Sequence, residues 1–172
     1  MLIERSNLVG LPVFELENQI QIAELVDFFV DDDEIKIEAA IVKTGGLIHH
    51  QKFISAKEIS DLSKAALIVQ SEDSLADPQE MVRLSKKIKK RAKIVGEKVY
   101  TKKGEFLGTV FDYVIESPTL AISRIYLKKF LDQRIIHASA IVKIEQNKII
   151  VKDNFEMTKP EPIPASAYTK LA

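Results

Sequence analysis

IVGEKVYTKKGEFLGTVFDYVI, residues Ile94 to Ile115, decides the fold, because it reads as a β-hairpin and because the chain contains it twice. Val95, Val99, Phe106, Val110 and Tyr113 are apolar positions in short runs rich in β-branched and aromatic residues, the pattern of strands with a buried face. Lys102, Lys103 and Gly104 interrupt the runs as a polar turn ending in glycine. Gly104 can take positive φ without steric cost, and Gly108 inside the second run suits a bulge or a close backbone approach.

The other copy is LVGLPVFELENQIQIAELVDFFV, Leu8 to Val30. Val9 and Gly10 match Val95 and Gly96 at an offset of 86, and Val13 and Phe14 match Val99 and Tyr100. Past the turn the offset is 85, aligning Asp27 with Asp112, Leu25 with Val110, Val30 with Ile115 and Ile37 with Ile122. Farther on it is 82, with Ile54, Ala56 and Ile59 on Ile136, Ala138 and Ile141, and Leu67 to Val69 on Ile149 to Val151. Matching apolar positions with length changes confined to turns imply two copies of one fold.

The 172 residues, 46% hydrophobic and 29% charged, suit two small domains of roughly 75 residues each. Cysteine is absent, which removes disulfides and thiolate chemistry and agrees with a reducing compartment. The opening MLIERSNLVG has no basic region followed by an apolar core, and no apolar run approaches the ~18 residues of a spanning helix. A cytoplasmic location without a transmembrane segment is the expectation. The formal charge of +0 conceals an acidic first part, with 15 acids against 6 bases through Asp77, and a basic remainder of 19 bases against 10 acids. Opposed halves can attract each other, self-associate, or offer the basic half to an acidic partner.

In chain order, strands are expected over Leu8–Phe14, Gln21–Val30 and Ile35–Lys43, with Asn18 supplying the left-handed turn residue that Gly104 supplies in the other copy. Asp31, Asp32, Asp33 and Glu34 read as a solvated turn, because the alternating carboxylates and mid-loop glycine of a calcium loop are missing. His49 and His50 are adjacent, so in a strand they face opposite sides and cannot chelate one ion. His137 stands where the first copy has Ser55 and is read as a turn or packing residue. Ile59/Leu62 with Leu67/Val69, and Ile141/Ile144 with Ile149/Val151, look like closing hairpins, although Ser55–Ser63 also suits a helical turn.

One helix is expected, between the copies. Asp77 is a good N-cap, Pro78 suits the first helical position, and Met81, Leu84 and Ile88 recur at helical spacing. Its other faces carry Arg83, Lys86, Lys87, Lys89, Lys90, Arg91 and Lys93, a candidate polyanion-binding surface or else a solvated connector balancing the acidic half. After Asp153, Pro160, Pro162 and Pro164 mark a polyproline-like tail.

The doubled pattern resembles the PRC-barrel family, known from the H subunit of the photosynthetic reaction centre and the C-terminal domain of the ribosome maturation factor. The resemblance rests on Val95, Gly96, Val99, Tyr100, Gly104, Leu107, Gly108, Val110 and Asp112, followed by an apolar strand and a closing hairpin. The first copy departs from it at Asn18 and Ala23. The resemblance implies small six-stranded barrels, non-enzymatic docking and no shared catalytic residues. The expected fold is therefore mainly β, two tandem PRC-like barrels joined by one α-helix, with barrels over 1–73 and 94–154, the helix over 74–93 and the tail over 155–172. Gly10, Asp27, Gly96, Gly104, Gly108 and Asp112 are its structural repeat positions.

No phosphate loop, nucleophile elbow, His-Glu-x-x-His or cysteine–histidine cluster is present in the sequence. No catalytic, cofactor or metal site is assigned, and an enzyme is not expected. The expected function is a protein-docking adaptor. The alternative is an RNA- or ribosome-associated factor using the basic helix and second barrel, and peripheral contact of that helix with anionic membrane is a third reading.

Overall fold

A computed structural model describes residues 1–45, 50–80, 94–145 and 147–159. Runs of β-branched and aromatic residues form strands throughout, because such side chains pack well on a pleated, half-buried surface. The strands are β1 (Leu2–Glu4), β2 (Pro12–Glu15), β3 (Gln21–Asp31), β4 (Lys36–Thr44), β5 (His50–Ser55), β6 (Ile59–Leu62) and β7 (Leu67–Val69) in the first half. The second half adds β8 (Lys98–Thr101), β9 (Phe106–Glu116), β10 (Ala121–Lys129), β11 (Asp132–His137), β12 (Ile141–Glu145), β13 (Lys148–Val151) and β14 (Met157–Thr158).

The two halves follow one path. β2 pairs antiparallel with β3 and parallel with β7, β3 with β4, β4 with β5 and β6 with β7. β8 repeats this with β9, β13, β10, β11 and β12. Even the irregularities recur: the register skips Ile22, Val26, Glu38 and Ser60 in the first half and Leu107, Phe111, Ser123 and Val142 in the second. Bulges bend and twist the strand that carries them, so the same four kinks curl each half in the same way.

Gly108 sits at one of these bends with φ +143, and a Cβ there would lie 2.9 Å from the Lys128 carbonyl oxygen. The close approach requires glycine in the second half, whereas the first half holds Ala23 at the equivalent place. The left-handed residue matching Gly104 (φ +89) is Gln19 (φ 58), one position beyond the expected Asn18. The open choice at Ser55–Ser63 resolves into both readings in succession, a 3-10 turn over Ala56–Glu58 and then strand β6.

The expected pair of barrels joined by a helix is corrected by the sheet itself. All fourteen strands belong to one sheet, and one hydrophobic cluster runs from Ile3 through Phe28, Leu67, Val110 and Ile136 to Val151. Halves of this size bury little surface alone; here they bury it together. The link between β4 and β10 is reciprocal: Ile37 N–H donates to Leu120 O at 2.9 Å, and Ile122 N–H donates to Ile35 O at 3.0 Å. The donors are equivalent in the repeat and so are the acceptors, the signature of a two-fold interface built within one chain. Ile35 and Leu120 both hold positive φ, 53° and 58°, a costly conformation for bulky residues that aims both carbonyls across the junction.

No α-helix is present among the described residues; the helical elements there are three-residue 3-10 turns. Where the helix was expected to begin, Ala76 is bridged to Phe53 of β5, and the Asp77 carboxylate pairs with Lys52 at 2.9 Å. The Asp77 N–H donates to Glu80 Oε2 at 2.9 Å, and Pro78–Glu80 forms a turn. Arg83, Lys86, Lys87, Lys89, Lys90, Arg91 and Lys93 lie outside the described residues, as do His49 and the tail from Pro160.

Candidate functional site

The polar heart of the molecule lies between the halves and is assembled by the N-terminal segment. β1 pairs antiparallel with β9, Leu2 opposite Glu116 and Glu4 opposite Val114. A 3-10 turn follows over Arg5–Asn7, and Ile3 and Leu8 are buried on either side of it. The turn is held by both repeated aspartates. Arg5 Nε donates to Asp27 Oδ1 at 2.8 Å, and Ser6 N–H donates to Asp112 Oδ1 at 3.2 Å. Each aspartate also accepts the next backbone amide, Phe28 N–H and Tyr113 N–H, both at 2.9 Å. Asp27 and Asp112 are therefore each bonded to the backbone, and they additionally clamp a segment belonging to neither repeat.

Electrostatics follow from burial. The hydrogen bond to Asp27 holds the Arg5 guanidinium above its ordinary value, overcoming the opposing effect of burial. Tyr113 is fully enclosed, and burial, reinforced by the Asp27 charge, pushes its hydroxyl up so that it stays neutral. An unfolded tyrosine ionises near 10, so this contribution is intact below that pH and is lost as pH rises above it. The expected slope is about 1.4 kcal/mol per pH unit. Tyr113→Phe, which copies the equivalent Phe28, should flatten it in urea unfolding series run across that boundary.

Above the junction the outer face of β9 and β10 carries a cluster with the composition of a contact surface. Phe111, at its bulge, is 40% exposed and packs on Tyr126 with ring centroids 5.9 Å apart. The Tyr126 hydroxyl donates to Glu4 Oε1 at 3.1 Å, while Asn7 Nδ2 donates to Glu4 Oε2 at 3.2 Å. Burial and then Glu4 push the Tyr126 hydroxyl up. Arg124, two residues away on the same face, has a buried Nε with no hydrogen-bond partner. The first half has Val26, Ala39 and Ile41 at these positions. Duplication made the frame, and divergence placed an aromatic–arginine patch on one side of it.

The chain matches no protein-family model and no curated protein.

Other candidates take structural places. Gly10 and Gly96 adopt φ of 88° and 96° at matching turns, where the Gly10 and Gly96 amides donate to Leu25 O and Val110 O. Asp31, Asp32 and Asp33 bring carboxylates within 4.8 Å of one another, but Asp31 Oδ1 accepts the amides of Asp33 and Glu34, so it caps its own turn. His137 Nδ1 accepts Ser139 N–H at 3.4 Å, just as the Ser55 hydroxyl accepts Lys57 N–H. A cleft of about 270 Å³ between Gln21, Glu24, Lys43 and Thr44 opens at one end of the first half. At the equivalent place in the second half, Lys129 Nζ donates to Phe106 O at 2.8 Å.

Sequence reasoning passed over Arg5, Glu4, Phe111, Arg124 and Tyr126. Three residues of β1 are too few to show alternation. The only available signal was divergence between the copies, with aromatic and charged residues standing where the other half has small or aliphatic ones.

Proposed function

We propose that the chain is a non-enzymatic protein-docking module that engages a partner through the outer face of β9 and β10. The observation that carries this reading is the exposed Phe111 ring packed on Tyr126, with the half-buried Arg124 two residues away. Aromatic residues and arginine are the types enriched in interface hot spots. The resemblance to PRC-barrel proteins points the same way, since that family docks rather than catalyses. The buried Asp27 and Asp112 and the half-buried Arg5 are engaged with one another's elements and with backbone amides, which supports a frame rather than a reactive centre.

The test is affinity capture with the full chain after nuclease treatment, comparing the natural sequence with a Phe111→Ser, Arg124→Glu variant. One protein retained by the former and released at least about tenfold more readily by the latter supports the reading. Equal retention by both, or recovery only through RNA, removes it.

A further inference from the structure

The tip of the β10–β11 hairpin breaks the rule that tight turns are polar. Phe130 (φ 57) and Leu131 fill the two turn positions and are 89% and 96% exposed. A left-handed turn position selects Gly, Asn or Asp, so Phe130 opposes the backbone preference, and both large apolar residues oppose solvation. Neither packs against the chain's own core. The hairpin beneath them is regular, with six paired positions from Lys129/Asp132 to Arg124/His137, so the tip is presented on a stiff support.

The surroundings of the tip are cationic. β8 and β13 run parallel and both end here, as Thr101 pairs with Val151, while β9 begins and β10 finishes at this end. The turn residues Lys102 and Lys103, together with Lys128 and Lys152, therefore gather at the same end of the sheet, beside Lys129, whose ammonium is held by the Phe106 carbonyl. Against them stand Glu105, Asp132 and Asp153. Asp132 is itself held by Arg134 at 3.0 Å and approached by Lys159 at 3.9 Å. Asp153 accepts the Lys103 amide at 3.0 Å.

We propose that this end of the second half seats on anionic lipid bilayers, with Phe130 and Leu131 inserted at the level of the headgroup–acyl boundary and the lysines facing lipid phosphates and carboxylates. A convex apolar wedge needs no shaped receptor in a bilayer, and its ring of cations complements an anionic leaflet. The proposal is independent of the docking face on β9 and β10 and uses different residues.

The experiment is flotation of the full chain with phosphatidylcholine vesicles and with phosphatidylserine–phosphatidylcholine vesicles mixed at roughly one to three. Binding is expected only to the anionic vesicles. The Phe130→Ser, Leu131→Ser variant, whose replaced side chains lie outside the core, should partition about a hundredfold more weakly while melting like the natural chain. Lys102→Glu with Lys128→Glu should abolish binding at moderate salt. The chain has no tryptophan, so Phe130→Trp gives a reporter whose emission should shift to the blue with anionic vesicles. Absence of flotation, retention by the double serine variant, no spectral shift, or tip-dependent self-association without lipid binding would each overturn the proposal.

Discussion

Replacing Ile3 and Leu8 together by alanine lowers stability by about 5 kcal/mol or more, enough to unfold most domains of this size. Their side chains are 1% and 0% exposed and lie in the cluster that joins the halves. Each deletion removes transfer energy and leaves a cavity, at about 2–5 kcal/mol per site. β1 would also release the backbone of Glu116 to Val114. The decisive measurement uses an accident of composition: all four tyrosines lie at or beyond position 100. Near-ultraviolet dichroism of tyrosine therefore reports the second half, while far-ultraviolet dichroism reports every strand. With one shared core, the two signals should move together in the natural chain and in milder single variants such as Leu8→Ala. A tyrosine transition separated from the backbone transition would mean that the halves unfold independently, contrary to a fused core.

The repeat was legible because alternation and offset are properties of sequence: β3 and β9, and β4 and β10, fall at the single offset of 85. Their fusion was not. It depends on Ile35 and Leu120 taking positive φ, and nothing local in a β-branched or leucine residue announces that state. Turn chemistry placed the left-handed residue at Asn18, but the backbone places it at Gln19, because the turn must match the strand ends and not the best available side chain. The helix expectation rested on Asp77, Pro78 and the spacing of Met81, Leu84 and Ile88; the last three lie outside the described residues, while the Asp77 carboxylate pairs with Lys52, from a strand twenty-five residues earlier, and its N–H donates to Glu80 Oε2 at 2.9 Å. The Phe111 patch and the Phe130–Leu131 tip escaped notice because both violate the pattern that located everything else. An exposed aromatic in an alternating run reads as core, and an apolar pair between strands reads as more strand. Local rules and the fold disagree at such positions, and these are where function is best sought.

Asp27→Ala is expected to lower stability by about 2–4 kcal/mol, more than the equivalent Asp112→Ala. The two carboxylates do the same backbone work, each accepting the next amide at 2.9 Å, so that loss is common to both variants. The difference is the charge. Asp27 is 2% exposed and neutralises a guanidinium that is 18% exposed. Its removal leaves Arg5 partly buried beside Tyr113 with the hydrogen bond that raises its pKa gone. Asp112 receives only the Ser6 amide from the same turn, a neutral donor, so its removal should cost about 1–2 kcal/mol. The partial solvent access of Arg5 keeps the larger figure at the lower end of what breaking a buried pair costs. A double-mutant cycle with Arg5→Met separates the causes. If stranded charge dominates, Arg5→Met should recover about half of the Asp27→Ala loss, measured by urea unfolding, and should recover nothing from Asp112→Ala. Strict additivity of Arg5→Met with Asp27→Ala would instead show that the carboxylate acts through the Phe28 amide alone. The ion pair between the N-terminal turn and the first repeat would then contribute nothing to joining the halves.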